Sequence, residues 1–194
     1  MKEILIVGAG GIGSYAVEYI YKLIMNGQMA NLSFTIVDDD IVEEKNVKYQ
    51  NYRKEDILKS KVKVLDKRYK MFGENKRIET EKDLERYDAF IIAVDNSKTR
   101  RLIYEYCYNK KKFFLDLRAE GRQIAIITSD LPKAEALDSL PKQEIQNGSC
   151  QLKYEFEEKK WIQQGNIVVA AFGSQVLLNK LRGEKYNPKL IIRI

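Results

Sequence analysis

The chain has 194 residues, 44% of them hydrophobic, with 34 basic against 28 acidic side chains, a net charge of +6 and no histidine. That size suits one domain over 1–194 with one substantial core, and no apolar run approaches the ~20 residues of a membrane helix. Two cysteines, Cys107 and Cys150, exclude a disulfide framework and a four-cysteine zinc site within the chain. The lack of imidazole removes a histidine base, a Ser–His or Cys–His pair and a histidine metal ligand, which leaves carboxylates, lysine, arginine, a thiol or a bound metal for any chemistry. Basic and acidic residues are interspersed, so the charge reads as a solvated lysine-rich surface. With no signal peptide ahead of the first strand, the expectation is a cytoplasmic protein with neither nucleic acid nor membrane as partner.

In chain order, Ile4-Leu5-Ile6-Val7 reads as a strand, and residues 14–25 carry apolar side chains at helical spacing (Ala16, Val17, Ile20, Leu23, Ile24) up to a stop at Asn26-Gly27. Phe34-Thr35-Ile36-Val37 is a second strand ending in Asp38-Asp39-Asp40. The pattern predicts a helix over 57–72 with Val62, Val64, Leu65, Tyr69 and Phe72 inward, and a short strand over 77–80. It then predicts strand 89–94, helix 99–108, strand 113–117 and strand 122–128, the last two joined by a tight antiparallel turn at Gly121. Residues 129–159, with Pro132, Pro141 and Gly148, read mostly as loop. A helix over 163–181, closed by Gly183, and a strand over 190–194 follow. Such alternation predicts an α/β, Rossmann-like, mostly parallel sheet with helices on both faces and antiparallel strands at the C-terminal side.

Between the first strand and helix lies Gly8-Ala9-Gly10-Gly11-Ile12-Gly13. A glycine turn after a strand and before a helix, upstream of an acid-tipped strand, is the arrangement that holds an adenosine nucleotide. Gly8 permits the turn, Gly10 lets backbone approach phosphate, Gly13 lets helix pack on strand, and the helix N-terminus offers free N–H groups to phosphate oxygens. The pattern alone does not choose between ATP and a dinucleotide.

Four segments resemble the superfamily of ubiquitin-activating (E1) enzymes and their bacterial relatives ThiF and MoeB. They are Gly8 to Ser14; Asp38-Asp39-Asp40-Ile41-Val42-Glu43-Glu44-Lys45-Asn46 with Gln50; Asp56 to Val62; and Ala93-Val94-Asp95-Asn96 with Arg100. Order and spacing match from residue 3 to about 128, and Gly148-Ser149-Cys150 with Gln163-Gln164-Gly165-Asn166 is similar more loosely. The resemblance implies ATP- and Mg²⁺-dependent adenylation of the C-terminal carboxylate of a ubiquitin-like or sulfur-carrier protein, without zinc. It implies that Asp40, with Asp38 nearby, serves the ribose and that the loop bearing Gly8, Gly10, Gly11 and Gly13 approaches the phosphates. Lys61 would contact those phosphates, Asp95 would hold Mg²⁺, and Asn46 and Arg100 would line the site. It also favours a homodimer, consistent with an excess of apolar residues over 167–181.

Where the family carries arginine before the glutamine of Asn-x-x-Arg-Gln, this chain has Asn46-Val47-Lys48-Tyr49-Gln50, with Arg53 close by in sequence. Cys150, in a polar setting, is the candidate for a later thiol step, and Cys107, among aromatic residues on a helix, is expected in the core. Two alternatives stand beside the adenylyltransferase. One is a non-catalytic member of the fold that binds a nucleotide or a partner. The other is an NAD-dependent oxidoreductase using Gly8-x-Gly10-x-x-Gly13 and Asp38, which leaves Asp40, Asn46, Lys61 and Asp95 without a role.

Overall fold

The computed structural model describes residues 2–140 and 151–194. Seven strands form one sheet in the order β3-β2-β1-β4-β5-β6-β7. They are β1 (Glu3–Val7), β2 (Ser33–Val37), β3 (Phe72–Glu74), β4 (Ala89–Ile92), β5 (Phe113–Glu120), β6 (Gln123–Thr128) and β7 (Lys189–Arg193). The pairs among the first five are parallel, and β6 runs antiparallel to both β5 and β7. The helices are α1 (Gly13–Met25), α2 (Lys61–Tyr69), α3 (Ser97–Lys110), α4 (Lys133–Asp138), α5 (Lys153–Glu157) and α6 (Gly165–Arg182). No helix among the described residues is long and apolar enough to cross a membrane.

Successive side chains of a strand point to opposite faces, so a strand buried on both faces feeds two cores. Ile4 and Ile6 of β1 join Phe34, Ile36 and Ile91 in a core with Val17 and Ile20 of α1, Val62 and Leu65 of α2, and Val169 and Leu177 of α6. Leu5 and Val7 join Phe90, Ile92 and Phe114 in a second core with Ile103, Tyr104 and Cys107 of α3. Cys107 lies in that core as expected, and burial pushes its thiol well above the ordinary range.

Several boundaries differ from the sequence expectation for local reasons. The helix expected over 57–72 is only Lys61–Tyr69. Residues 58–60 turn back on Ile41 and Val42 instead, with Val42 N–H donating to Lys59 C=O at 2.8 Å and Leu58 N–H to Val42 C=O at 2.9 Å. Lys70 then closes α2 in the left-handed conformation. Phe72 is not core; it is exposed on edge strand β3. The short strand expected over 77–80 is replaced by β3 at 72–74, where Gly73 lets the strand approach α2 so closely that a Cβ would stand 2.7 Å from Val62 C=O. The loop expected over 129–159 contains α4 and α5, and its residues 141–150, Cys150 among them, lie outside the described residues. Gly121, at φ +56°, makes the tight β5–β6 turn, with Glu120 opposite Gln123. Most of the apolar surplus on α6 is absorbed inside the domain, against α1, β5 and β6; Phe172 stays exposed.

Candidate functional site

The strand order reverses direction between β1 and β4, and the crevice outside the carboxyl ends of such strands is where open α/β sheets bind ligands. The glycine loop occupies that point. Gly8, at φ +97°, donates its N–H to Val37 C=O at 2.9 Å, and a Cβ there would meet Ala93 C=O at 2.7 Å. At Gly13 a Cβ would stand 1.9 Å from Gly8 C=O, so α1 is seated on the turn itself. Gly10 differs: nothing lies within 4 Å of where its Cβ would be. Gly8 and Gly13 are therefore glycines that the fold requires, whereas Gly10 borders open space that a ligand can enter. Among the described residues, no carbonyl or side chain accepts from the N–H groups of Gly10, Gly11 or Ile12, the donors a helix N-terminus presents to an anion.

The loop is fixed from below. Asp38 accepts from Ala9 N–H at 2.7 Å on one carboxylate oxygen and from Asp40 N–H at 2.9 Å on the other. Burial raises its carboxyl above the usual range, against the opposing pull of Lys61 and those two amides. Tyr52 donates its hydroxyl to Ala9 C=O at 2.6 Å, and Asn166 of α6 donates to Gly11 C=O at 3.1 Å and to Tyr49 C=O at 2.7 Å. Neither Tyr52 nor Asn166 carries a signal in the glycine motif itself: the sequence pattern does not point to Tyr52, and it marks Asn166 only as part of the looser resemblance over 163–166, without a role. The side-chain oxygens of Asn166 and Gln50 are buried without a hydrogen-bond partner among the described residues.

Asp40 and Lys61 come together through the ribbon of residues 41–42 and 58–60. Ile41 bridges Ser60, and Lys61 N–H donates to Asp40 C=O at 3.0 Å. The Lys61 ammonium then reaches Asp40 Oδ2 at 2.7 Å, with the lysine side chain 7% and the aspartate 58% exposed. Asp40 Oδ1 has no partner among the described residues. Leu58 stands at φ +68° in this ribbon with its side chain exposed, a conformation that costs a non-glycine residue and that its sequence did not announce. Asn46 is buried, and its side-chain oxygen accepts from Glu43 N–H at 2.8 Å, holding the turn that follows.

Across the crevice, β4 ends beside Gly8, and Asp95 follows two residues after Ala93, exposed and with no hydrogen bond or ion pair among the described residues. Asn96 caps α3, accepting from Lys98 N–H at 2.8 Å and Thr99 N–H at 3.0 Å. Arg100, one turn on, is buried. Its Nε donates to Asp116 Oδ1 at 3.0 Å, and its two Nη atoms have no partner among the described residues. Asp116, fully buried, also accepts from the Tyr104 hydroxyl at 2.7 Å and from Arg118 Nε at 2.8 Å. Burial alone would raise its carboxyl; Arg100 and Arg118 overcome that and hold it below the usual carboxylate range. Asp116 and Arg118 were not anticipated.

Tyr49, in the place of the family's arginine, packs edge-to-face on Phe156 of α5, with ring centroids 5.2 Å apart. Arg53 is on the surface, 3.6 Å from Glu55. Asp38, Asp39 and Asp40 bring carboxylate oxygens within 4.8 Å of one another, but each already has a partner, Arg77 Nε at 2.6 Å in the case of Asp39. Asp95 is the available carboxylate, and one carboxylate beside phosphate oxygens suits Mg²⁺, which keeps much of its water. A separate cleft of about 590 Å³, lined by Asp88, Tyr108, Lys111, Asp130 and Lys180, opens at the other end of the strands and contains none of these groups.

Taken together, a doubly wound sheet, a glycine loop at its switch point and an acid–lysine pair beside that loop define a Rossmann-like α/β protein. Residues 1–191 match the ThiF family, and the chain belongs to it. No curated protein matches the sequence. Among solved structures, PaaA superposes with a TM-score of 0.69 at 16% identity, covering 100% of this chain and 61% of that one. E. coli MccB with AMPCPP and MccA gives 0.69 at 15%, covering 100% and 60%. E. coli MccB with ATP gives 0.68 at 16%, again covering 100% and 60%. The present chain thus spans about three fifths of the length of these proteins, and at such identity the likeness establishes the fold alone.

Proposed function

We propose that the protein is an ATP- and Mg²⁺-dependent adenylyltransferase that activates the C-terminal carboxylate of a ubiquitin-like or sulfur-carrier protein. The observation that carries this reading is the Lys61–Asp40 pair at 2.7 Å beside a glycine loop left open at Gly10. Asp40 Oδ1 is free to accept from a ribose hydroxyl, and the Gly10, Gly11 and Ile12 amides with Lys61 face the phosphates. In the reaction a carboxylate oxygen of the partner attacks the α-phosphorus, the bond to the bridging oxygen breaks, and pyrophosphate departs with its electrons. An ionised carboxylate is its own nucleophile, so a site without histidine needs no base; it needs positioning and neutralised charge. Mg²⁺ held at Asp95 would supply part of that neutralisation. Arg100, braced by Asp116, would supply cationic charge from the α3 side. The fold neighbours solved with ATP and with AMPCPP and MccA support a nucleotide and a partner in a site of this architecture.

The NAD reading fits less well, because both oxygens of Asp38, the acid it needs for the ribose, are engaged by backbone amides. A non-catalytic reading is favoured by one specific observation: Tyr49 packs on Phe156 and supplies no cation where the family has one. We further infer that 1–194 acts as one domain and pairs as a homodimer, with exposed Phe172 on α6 available to a second copy. ATP–pyrophosphate exchange with candidate carrier proteins tests the enzyme reading. Exchange should be abolished by Asp95→Ala and Lys61→Ala, with ATP binding weakened less, because both groups act mainly on charge developed in the transition state. ATP binding without exchange, for every carrier tried, would leave the non-catalytic reading; a monomer by light scattering across micromolar concentrations would refute the dimer.

A further inference from the structure

In the crevice the cation meant for phosphate is already neutralised. Lys61, with its side chain only 7% exposed, has its ammonium 2.7 Å from Asp40 Oδ2. The neighbours are acidic as well. Asp38, Asp39 and Asp40 lie within 4.8 Å of one another, set against Lys61 and Arg77, and the exposed carboxylate of Asp95 follows β4 on the other side of the glycine loop. A free polyphosphate arriving here meets a local excess of negative charge, because Lys61 and Arg77 are already paired with Asp40 and Asp39 and the carboxylates of Asp38 and Asp95 are left over. Like charge brought together is costly and is a usual means of rejecting the wrong partner.

We propose that Asp40 is a selectivity residue: it holds Lys61 so that the site rejects free polyphosphate and accepts phosphates only as part of a nucleotide. This rests on the nucleotide reading given above. A ribose hydroxyl donating to Asp40 Oδ1 draws charge from the carboxylate and loosens its hold on Lys61, so that ribose and phosphates are recognised together. Pyrophosphate, the product, has no ribose and is therefore expelled rather than retained. Loss of the Asp40 charge should weaken the grip on nucleoside while opening the site to simple polyanions.

The test is calorimetric titration of the full chain with three probes: ATP with Mg²⁺, adenosine, and sodium tripolyphosphate without metal. Asp40 is 58% exposed, so Asp40→Asn keeps the fold, and a melting curve checks this. Wild-type protein should bind ATP–Mg²⁺ and take tripolyphosphate at least about tenfold more weakly. Asp40→Asn should reverse the order by gaining about tenfold or more for tripolyphosphate and losing affinity for ATP and adenosine. The gain should shrink with added salt, as screening requires, and disappear when Lys61→Gln is added. Unchanged tripolyphosphate affinity in Asp40→Asn, with ATP still bound by the wild type, overturns the selectivity role and leaves the nucleotide site standing. Wild-type protein that binds no ATP overturns both.

Discussion

Replacing Asp116 by alanine should be among the most damaging single changes in the molecule, although this residue touches no ligand. Its carboxylate is fully buried and accepts from Arg100, Tyr104 and Arg118, whose guanidinium groups are themselves largely enclosed, at 8% and 17% side-chain exposure. Removing it leaves two buried cations without their counter-ion, and breaking a buried pair from one side costs about 3–5 kcal/mol. For a domain of this size about 2–4 °C of melting temperature goes with each kcal/mol, so the expected fall is roughly 6–20 °C. Urea titration should show a lower midpoint with an unchanged slope. The pH dependence carries the same signature. The folded carboxyl lies below its unfolded value of about 3.9, so its stabilisation is complete above that value and is lost as pH falls through the folded one. Asp116→Ala should lack this acid-side loss. Asp116→Leu combined with Arg100→Met and Arg118→Leu should regain most of the stability, since apolar groups of similar volume replace buried ion clusters at little cost. A fall below about 1 kcal/mol for Asp116→Ala, the range of exposed pairs, would refute the reading of this cluster as buried and interdependent.

Other expectations separate binding from folding. Gly13→Ala forces a Cβ to 1.9 Å from Gly8 C=O and should destabilise the protein strongly, whereas Gly10→Ala should melt like wild type yet lose the stabilisation that ATP confers, as read by thermal shift. ATP with Mg²⁺ should raise the melting temperature more than NAD⁺ at equal concentration, and Asp40→Ala should lose most of that effect while staying folded; a larger shift with NAD⁺ would reverse the assignment. In a Cys150→Ala background the native protein should show no fast-reacting thiol at pH 8 and should release one on denaturation, because Cys107 is buried and its thiol is pushed up.

The parts of this fold legible in the sequence are those where one local signal decides. Continuous apolar runs bounded by charge became β1, β2 and β4; Gly121 and Gly183 ended elements where left-handed conformations were needed. Asn96 could have signalled the start of α3 at Ser97, because it caps the helix with its own side chain, but the apolar pattern begins only later. Failure came where tertiary pairing overrode local pattern. Residues 57–60 carry nothing that forbids helix, and it is the pairing with Ile41 and Val42, distant in sequence, that takes their backbone groups. Phe72 looked like a core position on a helical count, and the chirality break at Lys70 removed it from that helix altogether.

The site divides along the same line. Gly8 and Gly13 are readable because each answers a backbone demand that a motif records, Gly10 because the motif leaves that position open, and Asp40 and Lys61 because family spacing brings them together. What motif spacing does not convey is which of these groups is already spent. Asp38 is engaged by Ala9 and Asp40 amides, Asn46 by Glu43, and Arg100 by Asp116, so three residues expected to face a ligand are first of all parts of the scaffold that aims the others. Asp116 and Arg118 were invisible for the complementary reason. On an eight-residue strand, an acid and a base two positions apart ordinarily suggest a solvated face, yet here that face packs against α3, whose Arg100 and Tyr104 meet them. A strand face is buried or wet according to the helix laid on it, and that helix's contribution is fixed only when the crossover from β4 is complete. The placement of Arg100 therefore depends on packing between β5 and α3, and under the proposed function substitutions there should weaken ATP binding, read by thermal shift, without touching any residue of the glycine motif.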